Sequence, residues 1–275
     1  MPHLLVKPQA AKGLVTEVSP KTAGWTYVGF ALRRLAAGES LSDETGSREV
    51  CLVLVSGKAA IEIGGRDFGV IGERMNPFEG PPWAAYAPAG TRYTVKAATA
   101  LELAICSAPG GGNHPAKIIA PGVHPQIVRG KGSNTRYVTN IMPEDDDAAN
   151  ALLVVEVITP GGNTSSYPPH KHDRDDLPRE SYLEETYYHR LNPPQGFALQ
   201  RVYTDDRSLD EAMAVEDGDV VMVPKGYHPV ATVHGYDSYY LNVMAGPKRV
   251  WKFHNEPRHE WLFTGVGSTA KPPAR

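Results

Sequence analysis

Several features are scarce in this chain, and each scarcity removes a class of protein. No apolar run approaches the length needed to span a membrane, and the start, Met1-Pro2-His3-Leu4-Leu5-Val6-Lys7, lacks the long apolar core of a signal peptide. A cytoplasmic location is therefore expected. Charge of one sign is missing too. Twenty-eight Lys and Arg stand against 31 Asp and Glu, net −3, with no basic block, which argues against a nucleic-acid or anionic-membrane surface. There are only two cysteines, Cys51 and Cys106, both inside apolar strand-like segments, and they read as reduced buried thiols. Long helical periodicity is nearly absent. What the chain has instead is 27 glycines and 24 prolines, which suits many short strands joined by turns.

The strand-like runs fall into two sets. The first half has Val50–Val55, Ala59–Ile63 followed by Gly64-Gly65, Tyr93–Val95 and Leu101–Ile105. The second has Leu152–Ile158, Phe197–Tyr203, Val220–Val223 and Tyr239–Met244. Landmarks repeat at a fixed offset. Pro88-Ala89-Gly90 matches Pro224-Lys225-Gly226 (224 − 88 = 136), and Glu49 matches Glu185 (185 − 49 = 136). Such self-similarity signals a duplicated unit. The turn-rich stretch from Gly110 to Gly132 reads as the connection. The expectation is an all-β chain of two packed β-barrels or jelly rolls, residues 1–125 and 126–275. Exposed sheet edges of such barrels favour pairing, so a homodimer is a candidate assembly.

Chemistry concentrates in the second half. His170 and His172 flank Lys171, and residues i and i+2 of an extended segment share a face. Both imidazoles would point into the barrel while Lys171 points away. A third imidazole, His228, follows the turn-forming Pro224-Lys225-Gly226. The carboxylate candidates are Asp173, Asp175, Asp176, Glu180, Glu184 and Glu185. Glu185 is preferred because it opens the strand Thr186-Tyr187-Tyr188, aligns with Glu49 and shares a face with Tyr187 and His189. Three imidazoles and one carboxylate make a catalytic divalent-metal site with open positions, suited to Zn, Mn, Fe or Ni. The acidic insert from Asp173 to Leu183 reads as a solvated loop, or as a lid from which Arg174 or Arg179 could meet a carboxylate. The first half has no His-x-His before Glu49 and has Arg92 and Tyr93 where the third histidine would be, so it reads as a structural partner. The remaining histidines default to structural or surface roles, and the tail Gly265 to Arg275 has a disorder-prone composition.

His170-x-His172 with a downstream Glu, and Gly218-x5-Pro224-x-Gly226-x-His228, resemble the two motifs of the cupin superfamily, with one residue fewer than usual between Gly218 and His228. Longer stretches resemble the bacterial 5-deoxy-glucuronate isomerases of inositol catabolism. They include Tyr167–Asp173, Leu183–Tyr188, Asn192–Phe197, Gly226–Val230 and Gly235–Pro247. The resemblance implies a bicupin that isomerises the sugar acid 5-deoxy-glucuronate to 5-dehydro-2-deoxy-gluconate, with one divalent ion stabilising the enediolate. Glu184, Lys171, Tyr187 and His189 are then candidates for proton transfer, and the ligand Glu185 could double as one. Arg201, or else Arg129 or Arg136, would meet the substrate carboxylate. Tyr187, Gln200, Tyr203, Tyr240 and Asn242 would bind hydroxyls. The same ligand set in a cupin dioxygenase is the alternative reading.

Overall fold

A computed structural model describes residues 3–264; the tail expected to be disordered lies outside the described residues. The architecture is all-β, built from two pairs of facing sheets. In the first half a six-stranded sheet has the order Lys117–Ile119, Trp83–Ala87, Arg48–Ser56, Leu101–Pro109, Gly29–Leu35, Gly13–Val18. It faces a four-stranded sheet of Ser40–Glu44, Arg92–Ala97, Ala59–Ile63 and Arg66–Ile71. In the second half a seven-stranded sheet runs Leu5–Val6, Val220–Val223, Glu184–Asn192, Asp237–Ala245, Leu153–Thr159, Arg136–Met142, Ile127–Arg129. Its partner is formed by Thr164–Ser165, Val230–Thr232, Phe197–Tyr203 and Asp210–Glu216.

The same strands recur in both halves, since Arg48–Ser56 corresponds to Glu184–Asn192 and Leu101–Pro109 to Asp237–Ala245. The division at residue 125 does not hold at the N-terminus. Leu5–Val6 pairs with Val220-Val221 in the second half, as Lys117–Ile119 pairs with Trp83–Ala87 in the first. The opening residues thus cover an edge that an isolated second barrel would expose.

Alternation along the strands sends side chains to two different cores. Val50, Leu52 and Leu54 pack inside the first barrel with Ile61, Ile63 and Val95. Tyr187, Val221 and Tyr240 pack inside the second with Val202, Met213 and Val230. A third core joins the backs of the two large sheets. It holds Phe30, Cys51 and Val53 from one half and Val154, Tyr188 and Leu241 from the other. Each such side chain contributes about 1.5–3 kcal/mol on burial. Both cysteines are buried there as free thiols, and burial pushes each thiol well above the usual range.

Polar groups fix the register of this interface. Glu49 accepts hydrogen bonds from the backbone N–H groups of Asn150, Ala151 and Leu152 at 2.7–2.8 Å and from the Tyr86 hydroxyl. Glu184 does the reciprocal, accepting from Thr26, Tyr27 and Val28 at 2.6–3.0 Å. A buried ion pair, Arg74 to Glu156 at 3.0 Å, crosses the same surface.

These reciprocal clamps correct the sequence alignment. Glu49 opposes Ala108 as Glu184 opposes Ala245, and Val50 opposes Ala87 as Glu185 opposes Val223. The structural counterpart of Glu49 is therefore Glu184 (184 − 49 = 135), and that of Glu185 is Val50. A slip of one residue changes the face.

Candidate metal centre

The site is built on the inner face of the second barrel. His170–Lys171 pairs with His254–Asn255, which holds the segment extended. The imidazoles of His170 and His172 therefore project to one side and Lys171 to the other. His228 arrives from the opposite wall after a turn at Gly226, whose φ is +93°. A Cβ at Gly226 would lie 2.5 Å from the Tyr203 carbonyl oxygen, so the turn requires glycine. Candidate ligand nitrogens of His170, His172 and His228 all lie within 4.8 Å of one another. Glu185, on Glu184–Asn192, lies beside two of them, with Oε2 3.1 Å from His172 Nε2 and 3.3 Å from His228 Nε2.

Outer contacts orient these groups. His172 Nδ1 lies 3.1 Å from the Leu183 carbonyl oxygen, and His228 Nδ1 lies 2.8 Å from that of Gly226. An N–H on each Nδ1 leaves each Nε2 with a free lone pair toward the centre, the tautomer a metal needs. His228 Nε2 is buried and has no hydrogen-bond partner. Asn242 Nδ2 donates to Glu185 Oε1 at 2.5 Å and fixes that carboxylate. The donor set fits a divalent ion.

Electrostatics follow from burial and neighbours. Desolvation pushes His228 down to about 4 and takes His170 well below the usual imidazole range, with the neighbouring histidines adding to it. Desolvation also opposes charge on His172, but its contact with Glu185 outweighs that and raises it.

The other expected residues separate by strand parity. Tyr187 and His189 follow Glu185 at steps of two and lie on the same inner face. The Tyr187 hydroxyl is 3.0 Å from Ser166 Oγ, and its ring is 5.8 Å from that of His228 and 4.9 Å from Tyr240. His189 stacks on Tyr187 at 5.9 Å, and its Nε2 is 2.9 Å from Gln200 Oε1. Four expected contacts do not form. Glu184 faces the inter-barrel core and is occupied by backbone N–H groups, so it is no proton carrier for this site. Lys171 is locked in ion pairs with Asp173 at 2.9 Å and Asp205 at 3.0 Å on the far side of its strand. Arg201 lies between the inward Gln200 and Val202, points outward and pairs with Asp210 at 2.7 Å. The Tyr203 ring packs tilted against that of Tyr227, and its hydroxyl is taken up donating to Glu256.

The acidic insert is a hairpin, Asp173–Asp176 with Glu180–Tyr182, in place of the expected solvated loop. Asp173 Oδ2 accepts from the Gly226 N–H at 2.9 Å and so ties the hairpin to the turn before His228. Arg174 and Arg179 are exposed and engaged with Asp205 and Asp176.

A model of the KduI/IolB family matches residues 4–262. The chain belongs to the KduI/IolB family. It is an isomerase, as its curated relatives are. The 5-deoxy-glucuronate isomerase of Geobacillus kaustophilus is 56% identical over 92% of this chain and 91% of that protein. That of Halalkalibacterium halodurans is 51% identical over 96% and 100%. A crystal structure of an IolB-like protein from Salmonella typhimurium superposes with a TM-score of 0.93 at 55% identity, covering 95% of this chain and 99% of that one. A variant of Bacillus subtilis oxalate decarboxylase reaches a TM-score of 0.64 at 14% identity over 93% and 80% of the two chains, a likeness of fold alone. This KduI/IolB member is thus an all-β bicupin.

Sequence reasoning missed two groups of this family member. Phe253 lies 4.7 Å from the His170 ring and 6.2 Å from Trp251, giving the site an aromatic wall. The signal was Trp251-Lys252-Phe253, two aromatics at i and i+2. Ser166, partner of Tyr187, had no signal beyond its nearness to His170.

Proposed function

We propose that this chain converts 5-deoxy-glucuronate to 5-dehydro-2-deoxy-gluconate at one divalent ion held by His170, His172, His228 and Glu185. The observation that carries the reading is the convergence of three imidazoles and one carboxylate on the inner face of a chain whose relatives bear that isomerase name. Bound there, a divalent ion supplies Lewis acidity to neighbouring sugar oxygens. The protein's own groups do the rest. Asn242 keeps Glu185 turned toward the histidines. Burial raises the Tyr187 hydroxyl well above its ordinary range, so it stays protonated and donates to a sugar oxygen. Burial takes His189 down to about 4, so it stays neutral beneath Tyr187 and adds no positive charge. The buried rings of Tyr187 and Tyr240 exclude water from the site.

Membership of a family whose curated relatives are isomerases supports this reading over O2 chemistry on a similar ligand set. The cytoplasm is the expected location. Among the described residues no helix is long and apolar enough to cross a membrane.

The test is proton NMR in D2O of metal-replete and chelator-treated protein with 5-deoxy-glucuronate. Loss of the C1 and C2 proton signals with growth of the keto acid, in the metal-replete sample alone, is the expected result. No turnover by protein whose metal content is verified by elemental analysis would reject the assignment. Elemental analysis of the active sample also decides among Zn, Mn, Fe and Ni.

A further inference from the structure

Two arginines face each other at the mouth of the second barrel. Ile127–Arg129 and Arg136–Met142 form a hairpin at the end of the seven-stranded sheet, and Arg129 is directly opposite Arg136 in its register. Residues opposite each other in an antiparallel pair share a face. Val138, two positions from Arg136, packs in the barrel core, so alternation puts Arg136 and Arg129 on the inner face at the strand end.

Like charges directly opposite are destabilising, and among the described residues neither arginine has a carboxylate partner. Arg129 lies over the Trp251 ring, 5.6 Å from its centroid. Among the described residues Arg136 donates from Nη1 alone, to the carbonyl oxygen and Oδ1 of Asn134 at 3.0 Å each. Arg34, Arg74, Arg190 and Arg201 by contrast all pair with acids.

The hairpin is shaped to hold Arg136. Gly130 has φ +74°, and a Cβ there would lie 1.9 Å from the Asn134 carbonyl oxygen and 2.7 Å from Arg136 Nη1. Asn134 Nδ2 in turn donates to the Tyr167 carbonyl oxygen at 2.9 Å, three residues before His170. The aromatic wall of Trp251 and Phe253 then runs from Arg129 to His170.

We propose that Arg129 and Arg136 form the subsite for the carboxylate of the substrate, holding its C6 end while C1 and C2 lie at the histidines. The inference rests on the sugar-acid reading above and assigns the residues that make the enzyme selective for an acid. Two guanidinium groups offer paired N–H donors in the geometry a carboxylate accepts, and the bound anion relieves their mutual repulsion.

The test compares 5-deoxy-glucuronate with its C6 carboxamide, using intact metal-replete protein and its Arg136→Gln and Arg129→Gln variants. Steady-state kinetics, calorimetric binding and metal content are measured for each. With the acid, each variant is expected to raise KM and weaken binding about 10- to 100-fold, the range for lost charge-assisted bonds. Metal content stays at the wild-type level, and kcat changes far less than KM. With the carboxamide, wild type binds weakly and the variants lose nothing further, which also shows that they are folded. Acid binding within twofold of wild type in both variants would overturn the clamp, as would wild type that handles both compounds equally. Arginine-dependent binding of the acid without turnover would instead reject the isomerisation and leave the clamp standing.

Discussion

The two barrels share a plan and differ on one surface. At corresponding inner positions the first carries Val50, Leu52 and Leu54, and the second carries Glu185, Tyr187 and His189. The outward positions behave alike, because Glu49 and Glu184 each clamp three backbone N–H groups of the other half. Architecture and chemistry therefore sit on opposite faces of the same strand. Emptying the inner face of ligands leaves the fold intact, provided apolar side chains fill the volume. That division explains how a chain can keep two barrels and one candidate centre.

The sharpest way to break the comparison is to remove a ligand from one barrel and the matching side chain from the other. His228→Ala is expected to lose bound metal and to lower isomerisation by about 10³-fold or more, the scale of a lost Lewis acid. Tyr93→Phe in the first barrel should leave both unchanged. Elemental analysis and turnover check the pair; full activity in His228→Ala would end the metal reading.

Next come the clamps. Glu49→Ala and Glu184→Ala each strand three N–H groups in the interface, and each should cost about 3–5 kcal/mol of stability in denaturant titrations. Similar losses would show that the two glutamates are equivalent; a large loss of kcat in folded Glu184→Ala at low temperature would return that residue to the active site. Breaking the buried Arg74–Glu156 pair by Arg74→Met should cost a comparable amount, whereas Arg74→Met with Glu156→Leu should recover most of it.

A smaller effect separates the barrels by pH. His189 is held near 4 when folded, and an unfolded histidine titrates near about 6.5. Below that value the unfolded chain binds the proton first. His189's contribution is therefore complete above about pH 6.5 and declines as pH falls toward 4, by up to about 1.4 kcal/mol per pH unit. Urea titrations of metal-free protein across this window should become flatter in His189→Gln. Smallest of all is Arg201→Gln, an exposed pair worth under about 1 kcal/mol, with no change in KM. A KM raised tenfold would put Arg201 back beside the substrate.

Most strands were legible because alternation and apolar runs report burial directly, as in Val50–Val55 and Tyr239–Met244. The three histidines were legible from spacing alone. Glu185 was selected partly through an alignment with Glu49 that the register contradicts; its parity with Tyr187 and His189 was the sound argument. The same parity rule would have excluded Glu184 and Arg201, since each neighbours an inward residue. Contacts between distant segments were not legible. Nothing local to Thr26-Tyr27-Val28 announces that Glu184 will cap it, and the two-residue strand Leu5–Val6 is too short to register as periodic. The hairpin at 173–182 was hidden because its run of charges, several of them exposed, has the composition of a solvated loop.

The pairing of Leu5–Val6 with Val220-Val221 has a consequence for synthesis. On the ribosome Leu5–Val6 is made well before the barrel that it joins. More than two hundred residues must be translated before its partner exists, and the first barrel can close long before then. Leu5–Val6 must therefore remain free to pair until Val220–Val223 has been made.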